Sequence, residues 1–66
     1  GRYKMIITRA QANREIERLH NIYAINLAKA NELEITKGAT YAHPYYLAAE
    51  EAYNKAQALN VKKYLF

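Results

Sequence analysis

Between Arg9 and Lys37 the chain contains neither glycine nor proline, and its apolar residues recur at helical spacing. At about 100° per residue, Ala12, Ile16, Leu19, Tyr23, Leu27 and Ala30 fall in one narrow stripe, with Ile22 and Leu33 on its shoulder. Arg14, Glu17, Arg18, Asn21, Lys29 and Glu32 occupy the opposite face. Thr8 supplies an N-cap hydroxyl, Gln11 completes a capping-box pattern, and Ile7 is spaced to staple against Ala12. Gly38 stands where a glycine ends a helix. The spacing predicts a first helix over about residues 9–36.

Pro44 suits the first position of a second helix, where a missing N–H costs nothing. His43, which the proline disfavours from helical geometry, would be its cap. This reading gives a turn over 38–43 and a second helix over about 44–60. Its stripe is Tyr45, Ala48, Ala52, Ala56 and Leu59, with Ala49 beside it; Glu50, Glu51, Asn54 and Gln57 lie opposite. Early Glu50 and Glu51 and late Lys55, Lys62 and Lys63 agree in sign with the helix dipole. Large residues on one stripe and alanines on the other let two helices interdigitate at close range. The expected fold is all-α: one small domain spanning residues 1–66, built as an antiparallel helical hairpin with short terminal arms.

Such a chain has little core of its own. At 66 residues it buries a modest share of its surface, and with no cysteine it has no disulfide to compensate. At about 1.5 Å per residue the first helix would be about 42 Å long and the second about 25 Å. A turn at 38–43 would then leave Ala12, Ile16 and Leu19 without an intrachain partner. The tail from Val61 to Phe66 could fold over them, even pairing as a short strand with Lys4 to Ile7. The alternative, which we favour, is that a second subunit completes a helical bundle.

The residue inventory argues against catalysis. Cys, Trp, Ser and Asp are absent, so a nucleophile would have to be Thr, Tyr or Lys, and paired carboxylates would have to be Glu alone. Glu17 and His20 have the i, i+3 spacing of a bundle metal site. His20 lies at the edge of the apolar stripe, which fits a boundary histidine better than a ligand. We expect no enzyme, cofactor, metal or small-molecule substrate.

Seven tyrosines are the most unusual feature. Tyr23 and Tyr45 fall on the apolar stripes, Tyr41 and Tyr46 around the turn, and Tyr53 on a flank. Tyr is enriched in protein interfaces and also stacks on unpaired bases. Ten Lys and Arg against six Glu give a net charge of +4. The basic residues interleave with acids along the first helix, as in Glu15–Arg18 and Arg14–Glu17, which reads as a solvated surface. Arg2, Lys4, Arg9, Arg14, Arg18, Lys62 and Lys63 could still meet phosphates, because a hairpin brings the two ends together.

Ile25 and Leu47 are apolar residues on otherwise polar faces. No run is long and apolar enough for a membrane span or signal peptide. The chain reads as soluble and intracellular; Gly1 fits either a cleaved tag or a processed terminus. The expected function is a helical interaction or structural subunit that self-associates or docks on a larger assembly. Its contacts would be Ile16, Leu19, Tyr23 and Leu27, with Tyr64, Leu65 and Phe66 as an anchoring tail. The alternative is a small basic nucleic-acid-binding regulator.

Overall fold

A computed structural model describes residues 8–62 of the chain. Two helices account for nearly all of them, α1 (Arg9–Thr36) and α2 (Ala39–Lys62), packed along their lengths as an antiparallel hairpin. The start of α1 is the expected capping box. The Gln11 N–H donates to Thr8 Oγ1 at 3.1 Å, and the Thr8 N–H donates to Gln11 Oε1 at 2.9 Å. Two of the orphan amides of the first turn are thereby satisfied. The proposed staple through Ile7 lies outside the described residues.

The reversal is much tighter than the sequence reading supposed. Only Lys37 and Gly38 separate the helices. The Lys37 and Gly38 amides both donate to the Leu33 carbonyl, at 2.7 and 2.9 Å, which closes the end of α1. Gly38 has φ of 106°, a backbone state that glycine adopts without a Cβ penalty. Its carbonyl then accepts the first bond of α2, from the Ala42 N–H at 3.3 Å. One glycine thus ends α1 and begins α2.

This corrects the expected position of the second helix. It starts at Ala39 instead of Pro44, so Pro44 lies inside the helix and His43 is a helical residue instead of a cap. Glu50 and Glu51 lie in mid-helix and the first turn carries no acid, so their dipole argument lapses; Lys62 does lie in the last turn. The physical reason is burial. Ala42 is fully buried, and starting the helix early lets it and the following turn pack on α1. That gain outweighs the proline's preference for a helix start.

The longer α2 also removes most of the length mismatch. At about 1.5 Å per residue it runs about 36 Å beside about 42 Å of α1. Leu19 is buried in a cluster with Ala52 and Ala56, and Ile16, Ile22 and Tyr23 pack against that cluster. The expectation that Ile16 and Leu19 overhang a short second helix is therefore overturned: α2 covers them in the same chain. Ala12 is buried as well. The proposed strand pairing of Lys4 to Ile7 with the tail lies outside the described residues, whereas Val61 and Lys62 are helical.

The seam between the helices is narrow and made of small side chains. Among the described residues the buried ones are Ala12, Leu19, Ala30, Ala42, Ala49, Ala52 and Ala56, so Leu19 is the one large side chain among them. Alanine lets helix axes approach closely but brings little apolar area with it. The result is a slab one helix thick, with Cα extents of 45 × 23 × 14 Å.

Candidate interaction site

A slab of two helices has two broad faces. The buried line Ala12–Leu19–Ala30 on α1 meets Ala42–Ala49–Ala56 on α2, and helical periodicity sends flanking residues to opposite sides of that seam. On one side Tyr23 and Leu27 of α1 face Tyr46, Ala49 and Tyr53 of α2 across a shallow groove with Glu50 at its rim. We call this the tyrosine face. On the other, Arg18, Leu19 and Ile22 of α1 flank Ala48, Glu51, Ala52 and Lys55 of α2 in a second groove. This is the alanine face.

The tyrosine face is held by contacts across the hairpin. The Tyr23 and Tyr53 rings stack at a tilt of 45°, with centroids 5.5 Å apart. The Tyr46 hydroxyl lies 2.6 Å from Glu34 Oε1 and 2.7 Å from Asn31 Oδ1. One phenolic proton serves one acceptor at a time, and the carboxylate is the stronger. The Glu34 bond, then partial loss of water, then the Glu34 charge hold the Tyr46 phenol above its ordinary range. The groove lining contains a carboxylate, Glu50, and no Lys or Arg.

The alanine face carries both signs. Arg18 Nε donates to Glu15 at 3.0 Å, and its guanidinium also reaches the second carboxylate oxygen. That bond, foremost, keeps the Glu15 carboxyl below its usual range and the Arg18 guanidinium above it. Lys55 Nζ sits 3.4 Å from Glu51. Both pairs are solvent-exposed, where such pairs bind weakly.

The sequence-predicted contacts are distributed unevenly over these surfaces. Tyr23 and Leu27 line the tyrosine groove, and Ile16 is half-buried. Leu19 is largely withdrawn into the core. Tyr64, Leu65 and Phe66 lie outside the described residues, as do Arg2, Lys4 and Lys63. Arg9, Arg14, Arg18 and Lys62 are exposed, and the antiparallel course puts Arg9 and Lys62 at the same end of the slab. Arg18 is engaged by Glu15. Glu17 and His20 are both exposed, and no three potential metal ligands gather among the described residues.

The expected clustering of Tyr41 and Tyr46 around a turn at 38–43 is not found, because the reversal lies at Lys37 and Gly38 and Tyr41 is already helical. Tyr41 is exposed with Lys37 Nζ 5.9 Å from its ring centroid, while Tyr46 turns toward α1. Ile25 and Leu47 are exposed as expected, at 68% and 50%; Ile35, at 85%, joins them. Sequence reasoning missed the Tyr46–Glu34 contact and the Ile22–Ala48 groove. Both follow from the register that a two-residue reversal at Gly38 imposes, and the misplaced turn hid them. No helix among the described residues is long and apolar enough to cross a membrane. Comparison with protein-family models, curated proteins and solved structures finds no match for this chain.

Proposed function

We propose that this chain is a non-enzymatic helical interaction or structural subunit that self-associates or docks on a larger assembly. One observation carries the reading: among the described residues only a single large side chain, Leu19, is buried. Stable domains place two layers around a core, and this slab is one layer. Tyr23, Leu27, Tyr46 and Tyr53 on one side, and Ile22 and Ala48 on the other, keep apolar surface that a second layer would cover. If association completes the fold, the melting temperature rises with protein concentration, because assembly stabilises by mass action. A monomeric mass at every concentration, with a melt independent of concentration, overturns the reading.

A second reading is a basic nucleic-acid-binding regulator. It is supported by the net charge of +4 and by exposed Arg9, Arg14 and Lys62 toward one end of the hairpin. Binding to generic duplex or single strands would then weaken steeply with salt, through counterion release. No binding at low salt removes it.

A further inference from the structure

Pro44 sits inside α2, and the turn before it is attached to the rest of the hairpin by very little. Of residues 39–44 only Ala42 is buried; Ala39, Thr40, Tyr41, His43 and Pro44 are exposed. The apolar contact that holds this turn down is therefore centred on one methyl group, with the exposed Lys37 ammonium 5.9 Å from the Tyr41 ring beside it. Its backbone bonding is thin as well. The Ala42 N–H reaches the Gly38 carbonyl at 3.3 Å, longer than an ordinary helix bond. Pro44 has no N–H for the Thr40 carbonyl, and it disfavours helical geometry at His43, the residue before it. Beyond this break the helix is anchored at once: the Tyr46 hydroxyl bonds Glu34 at 2.6 Å, and the buried Ala49 follows.

We infer that Ala39–His43 is a strap that opens and closes as a unit on a hairpin that otherwise stays folded. Gly38, which takes either sign of φ at little cost, is its hinge at one end, and Pro44 is its break at the other. With the strap open, α2 begins at Pro44, where a missing N–H costs nothing and His43 is released from helical geometry. The bonds given up are those that α-helical pairing assigns to the amides of Ala42, His43, Tyr45 and Tyr46. The Thr40 carbonyl gives up none, because proline offered it none. Opening bares the end of the seam that Ala42 fills, and the Tyr46–Glu34 bond stops it from running on into α2. The strap belongs to the single chain and is independent of self-association.

Amide hydrogen exchange on the full chain, in solution too dilute for assembly, reads this opening directly. The Ala42, His43, Tyr45 and Tyr46 amides should share one protection factor, about tenfold or more below those of Ala52 and Ala56. Their exchange should also be indifferent to low urea, since opening one turn exposes little surface. Pro44→Ala supplies the missing bond and should raise the protection of these amides by about tenfold or more. Tyr46→Phe removes the stop, so fast exchange should spread to Leu47 and Ala48. Protection at Tyr45 and Tyr46 equal to that at Ala52, or a urea dependence as steep, overturns the strap. Fast exchange that is the same in the native and Pro44→Ala chains is the fraying of any helix end and overturns it too. A boundary that stays in place in Tyr46→Phe overturns the role of the Tyr46–Glu34 bond as the stop.

Discussion

Across the hairpin, the Tyr46 hydroxyl donates to Glu34 Oε1 at 2.6 Å, linking the second turn of α2 to the last turns of α1. The folded chain raises the Tyr46 pKa, first through this bond, then through lost hydration and the carboxylate charge. An acid whose folded pKa is raised is stabilised in its protonated form. The contribution is therefore complete below the unfolded phenol value of about 10 and is lost as pH rises through the folded value. Thermal melts across the alkaline range should show stability falling above about pH 10. Tyr46→Phe should start lower and lose less over that window. An alkaline loss equal in both chains would show that this contact does not contribute to it.

Leu19 carries the core almost alone among the described residues. It is 6% exposed and packs on Ala52 and Ala56. Leu19→Ala removes the one large side chain from a seam otherwise lined with alanine, and such truncations cost about 2–5 kcal/mol. A small domain has few kcal/mol to lose, so chemical denaturation should show this variant largely unfolded as a monomer. A loss of stability no larger than that of Ile25→Ala, at an exposed site, would mean that the core lies elsewhere.

The long first helix was legible because every local signal agreed: the capping box at Thr8 and Gln11, an uninterrupted apolar stripe, and Gly38 at the end. The second helix was legible in its later half, where Ala52, Ala56 and Leu59 repeat on one side. Its start was not. Proline at 44 is the strongest local mark of a helix start, and only the buried Ala42, a property of the assembled hairpin, overrides it. That error propagated, because moving a helix start by one turn or more shifts the register of every cross-hairpin contact. A start at Pro44 leaves Leu19 without a partner on the second helix and puts Tyr46 beside the turn instead of against Glu34. The apolar stripes themselves were read correctly, and with them Tyr23 and Leu27 of the tyrosine groove.

Pro44 now stands as a strained choice within α2. It has no N–H to give the Thr40 carbonyl, and its ring crowds the preceding turn. Alanine is better than proline in a helix interior by about 3 kcal/mol, a difference that already includes the freedom of the unfolded chain. Pro44→Ala should therefore stabilise the hairpin by about 3 kcal/mol, read as a rise in both melting temperature and helicity. An unchanged or lower melting temperature would place the true start of α2 at Pro44.

The Tyr23–Tyr53 pair tests whether the tyrosine face is preformed in the single hairpin. The rings are 5.5 Å apart at a tilt, within the range where aromatic pairs gain from their edges and faces. A double-mutant cycle with Tyr23→Leu and Tyr53→Leu removes the ring pair while keeping apolar bulk. Measured by denaturation at concentrations too low for assembly, the coupling should be about 0.5–1.5 kcal/mol. A value near zero in dilute solution, with coupling emerging only as the protein is concentrated, would mean that the rings meet only when a neighbour presses them together. The face would then form on association, and its shape in the free chain would carry no information about what it binds.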